Sequence, residues 1–124
     1  MDKSIMTKPT VVIYTADGIS EIELAPLLYG MEEEGIPWYI EGKDEQTELE
    51  LADLASQDSA LAVGVGVTGE TIALTYKNLP ADKFIFRLFN YKCESKALRI
   101  LGCDAARLAK GSAFKFHERL EVAF

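Results

Sequence analysis

The chain has 124 residues, of which 48% are hydrophobic, so it is long enough and apolar enough to fold as one domain with its own core. Its formal net charge of −7 makes nucleic acid and anionic membrane surfaces poor partners. It has no apolar run long enough to span a membrane, and residues 1–9 carry no secretion signal, so a cytoplasmic protein is expected.

The first part of the chain predicts a strand, a helix and a second strand. Residues 10–14 form a β-branched and aromatic run, typical of a strand that is buried on both faces. A helix is predicted over residues 25–34, because Pro26 fits only a first helical turn and Gly35 suits a left-handed cap. The second strand is predicted over residues 36–40.

A second helix and a hairpin follow. Thr47 and Glu50 have the spacing of a capping box, which predicts a helix that begins there and ends near Gln57. Residues 61–67 predict a third strand and residues 71–76 a fourth, close enough to pair as a hairpin.

The last part of the chain predicts a fifth strand over residues 83–89 and a helix from residue 95 to a cap at Gly111. Gly102 weakens the middle of that helix by about 1 kcal/mol relative to alanine, so a kink or a break is expected there. Residues 112–124 predict a short edge strand or a docking arm.

This order of elements predicts a three-layer α/β/α domain with a mixed, mostly parallel sheet. We expect a flexible N-terminus over residues 1–9, a single domain over residues 10–116 and a tail over residues 117–124.

Three adjacent carboxylates, Glu32, Glu33 and Glu34, lie at the end of the first predicted helix. They repel one another, and the helix dipole favours cations at that end. One interpretation is a solvated turn; the other is that one of these carboxylates serves a cation or a partner protein.

Residues 64–69 spell G-x-G-x-x-G, the fingerprint of dinucleotide binding. That fingerprint requires a helix N-terminus after the glycines, whereas the residues that follow here predict a strand. A nucleotide-binding module is therefore a weaker alternative.

Enzyme motifs are scarce. The sequence has no Walker A motif, no H-E-x-x-H and no nucleophile elbow, and its single histidine, His117, lies in the tail. Cys93 and Cys103 lack metal-ligand spacing and are expected to be free thiols in a reducing compartment, with a disulfide as the alternative.

A small enzyme that uses a carboxylate pair is the second alternative, because Asp17, Glu21 and Glu23 could approach the acidic end of the first predicted helix in space. Arg107 and Lys110 on the last helix could meet an anion, or simply solvate the helix.

Three segments of the chain resemble the small subunit of the diol and glycerol dehydratase reactivating factors. They are Glu-Glu-Glu-Gly-Ile-Pro-Trp over residues 32–38, Tyr-Lys-Asn-Leu-Pro over residues 76–80, and Asp-Ala-Ala-Arg-Leu-Ala-Lys-Gly over residues 104–111. The resemblance covers about residues 10–116.

The resemblance implies a fold like the dehydratase medium subunit and a role without catalysis. The factor would use ATP to release damaged cobalamin from adenosylcobalamin-dependent diol or glycerol dehydratase. The large subunit would be the ATPase that binds ATP or ADP, and the small subunit would exchange places with the medium subunit. A heterotetramer is implied, and enclosure in a bacterial microcompartment is left open.

The resemblance also implies site residues. Glu33 matches a glutamate that reaches the large subunit and helps to hold Mg²⁺ near its nucleotide site. The residues expected at the interface beside it are Leu27, Leu28, Met31, Glu32 and Glu34.

The chain departs from the family pattern in places. Asp104 stands where asparagine is expected, and the loop over residues 41–57 and the tail do not match. The cobalamin signature D-x-H-x-x-G is absent, so direct cofactor binding is not expected. These departures leave the choice between a diol and a glycerol client open.

Overall fold

The computed structural model of the chain describes residues 9–16, 18–44 and 47–123. Within these residues, six strands form one sheet and three α-helices cover it. The strands are β1 Val11–Thr15, β2 Trp38–Gly42, β3 Val63–Val67, β4 Thr71–Tyr76, β5 Phe86–Phe89 and β6 Glu121–Val122. The helices are α1 Ala25–Glu34, α2 Glu48–Asp58 and α3 Ser95–Lys110.

The sheet is mixed, with the strand order β2-β1-β3-β4-β5-β6. β1 pairs in parallel with β2 and β3, and the remaining neighbours pair antiparallel. The predicted α/β class with a mixed sheet is confirmed. The expectation of a mostly parallel sheet holds for strand direction, since only β4 and β6 run against the other described strands. It does not hold for the pairing of neighbouring strands, because each strand after β3 pairs antiparallel with the strand before it.

The helices form two layers around the sheet, as the three-layer prediction required. α1 and α3 pack on one face, over the larger apolar core. α2 packs on the other face, where Val12 and Tyr14 of β1 meet Leu51 and Ala55. Alternate residues of β1 therefore enter different cores, which explains why the whole strand is apolar.

Local signals set the helix ends as predicted. α1 ends at Gly35, which has the left-handed φ of 75°, and α3 ends at Gly111 with φ of 74°. At the start of α2, the Thr47 hydroxyl accepts from the Glu50 N–H at 3.1 Å, and the Glu50 carboxylate accepts from the Thr47 N–H at 3.0 Å. This reciprocal capping box is the one that the sequence predicted.

α3 is one continuous helix, so the predicted kink or break at Gly102 is wrong. Gly102 lies where α3 crosses α1: a Cβ there would overlap the backbone carbonyl of Leu27. Gly30 of α1 faces the same crossing, and its Cβ would overlap the carbonyl of Arg99 and lie 2.7 Å from the Cys103 nitrogen. Both glycines are needed because the two backbones lie almost in contact.

The C-terminal segment packs on the domain. β6 pairs with β5 at the edge of the sheet, and Leu120 is buried. The ring of Phe86 makes edge-to-face contacts with Phe114 and Phe116, at centroid distances of 5.2 and 5.8 Å. The edge-strand alternative for this segment is therefore the one that the structure adopts.

Gly102→Ala tests the close crossing of α1 and α3. We expect the free energy of unfolding to fall by about 1–3 kcal/mol, because the new methyl group must push α1 away from α3. Urea unfolding followed by circular dichroism measures the change. Gly69→Ala is the matched control, since a Cβ there meets no atom within 4 Å. Equal stability of Gly102→Ala and the wild type would contradict the crossing.

Candidate functional site

The acidic end of α1 lies against basic side chains of α3. The Glu34 carboxylate accepts from Lys110 Nζ at 2.8 Å and from Arg107 Nε at 3.0 Å, and only 12% of its side chain is exposed. Lys110 Nζ also donates to the Glu34 backbone carbonyl at 3.0 Å, which satisfies one of the free carbonyls of the α1 C-terminus. Arg107 and Lys110 therefore hold α1 in place rather than bind a free anion.

Glu33 has a more open environment than Glu34. Its carboxylate accepts from Arg99 Nε at 2.5 Å, with 43% of the Glu33 side chain and 53% of the Arg99 side chain exposed. The hydrogen bond from Arg99 lowers the pKa of Glu33, and those from Lys110 and Arg107 lower the pKa of Glu34. Both groups are therefore carboxylates at neutral pH.

These pairs change the interpretation of the acidic run. The repulsion between Glu33 and Glu34 is offset inside the chain, by Arg99, Arg107 and Lys110. A partner's cation is not needed to explain why the carboxylates are tolerated. The three basic residues follow the spacing i, i+8 and i+11 on α3, a one-sided pattern that the sequence analysis did not connect with α1.

The three apolar residues that were predicted at the interface lie in the chain's own core. Leu27 and Met31 are completely buried and Leu28 is nearly so, packed in the core between the α1–α3 layer and the sheet. This placement corrects the expectation that they contribute to an interface. Glu32, by contrast, is exposed, as predicted for a residue that is available to a partner.

Asp104 is a buried carboxyl group that the sequence analysis noted only as a departure from the family pattern. Its Oδ1 accepts from the Lys115 N–H at 2.7 Å, while its Oδ2 has no hydrogen-bond partner among the described residues. Burial raises the pKa of Asp104 to about 6. The group thus fastens the C-terminal segment to α3 at an electrostatic cost.

The residue before Asp104 in α3 carries a buried thiol. Cys103 is a free cysteine, and its Sγ lies 4.0 Å from Lys115 Nζ. Burial raises the pKa of the Cys103 thiol, so it stays protonated at neutral pH and is a poor nucleophile. Cys93 is also free and is exposed. The prediction of two free thiols is confirmed.

The carboxylate-pair alternative gains no support from the described residues. Glu23 accepts from the Ser20 N–H at 2.9 Å and pairs with Lys92 at 3.2 Å, and these contacts lower its pKa. A general acid at neutral pH needs the opposite shift. Glu21 is exposed, and Asp17 lies outside the described residues.

The G-x-G-x-x-G stretch does not form a nucleotide site. Gly64 and Gly66 lie inside β3, which turns at Thr68 into the antiparallel strand β4, so no helix follows the motif. A Cβ on either glycine would overlap the backbone of α2. Gly64 and Gly66 are therefore explained by the close packing of α2 on the sheet, and the weaker alternative of a nucleotide-binding module at this motif is not favoured.

The described residues contain an apolar recess but no cluster of metal-ligating side chains. The recess, of about 460 Å³, lies between the end of α3, the β4–β5 connection and the C-terminal segment. In the described part of the chain, no group of three or more His, Cys, Asp or Glu side chains is placed to hold a metal ion. No helix in this part is long and apolar enough to cross a membrane.

The comparisons with known proteins agree with one another on the family. The dehydratase medium subunit family matches residues 8–115. The propanediol dehydratase-reactivating factor small subunit of Citrobacter freundii is 37% identical over 113 residues, which are 91% of this chain and 96% of that protein. The diol dehydratase-reactivating factor small subunit of Klebsiella michiganensis is 36% identical over 107 residues, which are 86% of this chain and 84% of that protein.

Two solved structures share the fold. The diol dehydratase-reactivating factor complexed with ADP and Mg²⁺ superimposes with a TM-score of 0.82 at 34% identity, over 89% of this chain and all of that chain. A glycerol dehydratase reactivase superimposes with a TM-score of 0.81 at 28% identity, over 88% of this chain and 98% of that chain.

Asp104→Asn tests the cost of the buried carboxyl group. Because the folded state raises the pKa of Asp104 above its unfolded value, wild-type stability should decrease as the pH rises from about 4 to about 6. The stability of Asp104→Asn relative to the wild type should therefore increase by about 1–3 kcal/mol over this range. Urea unfolding at pH 4, 5, 6 and 7 measures this difference.

The matched control is Asp82→Asn, which neutralises an exposed carboxylate and should stay within about 0.5 kcal/mol of the wild type. A difference between Asp104→Asn and the wild type that is constant across the pH range would contradict the assignment.

Proposed function

The chain belongs to the dehydratase medium subunit family, and on this premise we propose that it is the small, non-catalytic subunit of a dehydratase-reactivating factor. The observation that supports this most strongly is the match to reactivating-factor small subunits over nearly the whole length of both chains. The client would be an adenosylcobalamin-dependent diol or glycerol dehydratase. The higher identity with the diol factor than with the glycerol reactivase favours a diol dehydratase.

In this proposal, the chain acts by occupying a place on a larger subunit. Its relatives are named small subunits, and its family is named for the dehydratase medium subunit. Two chains of one fold can compete for the same site on a partner. The chain would therefore exchange with the medium subunit, and the exchange would allow damaged cobalamin to leave the enzyme.

The proposal assigns ATP hydrolysis to the large subunit. The related reactivating factor binds ADP and Mg²⁺ as a complex. In this chain, Gly64 and Gly66 of the G-x-G-x-x-G stretch are covered by α2, and a strand rather than a helix follows the stretch. The buried Cys103 and the low-pKa carboxylates also offer no activated nucleophile or general acid. These observations favour a binding role over catalysis.

Glu33 is the residue that we propose to reach a Mg²⁺ ion at the large subunit's nucleotide site. It is ionised, it lies on the surface at the end of α1, and Mg²⁺ prefers carboxylate oxygens. Its partner Arg99 is also exposed, and such ion pairs contribute little to stability, so a divalent cation could replace the guanidinium at small cost. Glu34 is held by two cations and is a structural residue by comparison.

Glu33→Gln tests the metal role. The amide keeps the shape of the side chain but loses the charge that Mg²⁺ requires, so affinity for the large subunit with ADP should fall about tenfold in Mg²⁺ and less in EDTA. Isothermal titration of the large subunit with each variant measures both values. Glu70→Gln, which removes an exposed carboxylate beyond β3, is the control and should bind like the wild type. Equal affinities for Glu33→Gln and the wild type in Mg²⁺ would remove the metal role.

The assignment of the ATPase has a test of its own. The purified chain should release no phosphate from ATP above the buffer rate, whereas the large subunit should do so with or without the chain. A coupled phosphate-release assay on the three samples measures these rates. Steady hydrolysis by the chain alone, retained after repeated purification, would contradict a non-catalytic role.

A further inference from the structure

α1 and the short 3-10 turn before it, Glu21–Leu24, carry apolar side chains on two opposite sides. One side is the core stripe already described. The other is an outer stripe made of Ile22, Pro26 and Tyr29, at the spacing i, i+4 and i+7, which continues to Glu33 at i+11. The Ile22 side chain is 86% exposed and Tyr29 is 54% exposed. A helix that is apolar on both sides is typical of one that is covered on both sides.

Side-chain contacts orient the start of the outer stripe. The Glu23 carboxylate accepts from the Ser20 N–H at 2.9 Å and pairs with Lys92 Nζ at 3.2 Å, at the start of the 3-10 turn. These contacts fix the turn between them, and Ile22 is therefore presented to solvent by a segment with defined geometry. Such a pre-organised surface loses little conformational entropy when a partner binds.

The stripe is bordered by a recess and by charges. Pro26 and Tyr29 line a shallow recess of about 190 Å³ together with Ser95, Lys96 and Arg99 of α3. The Glu33–Arg99 pair lies at the edge of this recess. The apolar stripe therefore runs without interruption into the residue proposed to reach the large subunit.

Of the other exposed apolar side chains, two aromatic ones have partners within the chain, and Leu54 and Val122 lie elsewhere, on α2 and β6. Phe89 lies against the Arg87 guanidinium at 4.9 Å, and Phe116 packs on Phe86. The ring of Tyr29, in contrast, makes no hydrogen bond or ring contact with the other described residues. The outer stripe is thus the apolar surface that is left uncovered next to the proposed site.

We propose that Ile22, Pro26 and Tyr29 are the apolar centre of the surface that docks on the large subunit. This inference rests on the proposed function and names the contact that it requires. A second copy of the chain is a poorer occupant, because it would bring together two chains that each carry a net charge of −7. The continuity of the stripe with Glu33, the residue proposed to reach the large subunit, favours the large subunit as the occupant.

The experiment uses the full chain and the large reactivating-factor subunit from the same organism, titrated with ADP and Mg²⁺. The double variant Ile22→Ser/Tyr29→Ser should bind at least about tenfold more weakly, since exposed apolar and tyrosine anchors dominate interfaces of this kind. Leu54→Ser is the matched control, because Leu54 is an exposed apolar residue on α2, on the other face of the sheet, and it should bind within about twofold of the wild type.

A second variant keeps the test independent of folding. Tyr29→Lys places a good helix former at an exposed helical position, so it should keep the thermal stability of the wild type and still weaken the complex. If the wild type binds but both stripe variants bind equally well, the inference fails and the proposed function stands. Equal weakening by Leu54→Ser also overturns the inference. If the wild type does not bind the large subunit at all, the proposed function and the inference fail together.

Sedimentation of the isolated chain tests whether the outer stripe instead pairs two copies of the chain. A wild-type dimer that Ile22→Ser/Tyr29→Ser converts to a monomer, without a change in large-subunit affinity, would assign the stripe to a second copy and overturn the inference.

Discussion

The close crossing of α1 and α3 determines which side chains of the acidic end are fixed and which remain available. At Gly30 and Gly102, the two helices lack side chains, so their backbones come almost into contact. This distance brings Glu34 within reach of the basic side chains near the end of α3. With wider spacing, the C-terminus of α1 would keep its carboxylates but lose the cations that offset them. The crossing therefore makes the acidic run compatible with a stable helix.

Adjacent carboxylates at this helix end have different physical roles. Glu34 is nearly buried and accepts from two cations, so its loss would leave Arg107 and Lys110 without an anion. Glu33 is exposed and has one exposed partner, Arg99, so its ion pair contributes little to the stability of the fold. Burial, rather than sequence position, separates a residue that stabilises the fold from one that is able to serve another molecule.

Much of the fold followed from local patterns, because caps and turns act over a few residues. The capping box at Thr47 and the left-handed cap at Gly35 were predicted for that reason. The role of Gly102 was not, since a glycine inside a helix costs stability locally and its benefit depends on a helix far away in sequence. The pairing of Glu33 with Arg99 and the burial of Asp104 equally depend on tertiary contacts. The sequence therefore suggested a role for Glu33 but could not show which side chains surround it.

The function inferred for the chain depends on which of the two apolar sides of α1 faces the core. Periodicity alone identified the stripe of Leu27 and Met31 and could not say whether it faced the core or a partner, because both are apolar environments. The structure assigns that stripe to the core, which leaves Ile22 and Tyr29 as the apolar groups without a covering layer. A chain that acts by catalysis needs a recess with perturbed ionisable groups, whereas one that acts by occupying a place on another subunit needs a rigid outer surface. The second description fits the apolar outer side of α1, which lies next to the exposed carboxylate of Glu33.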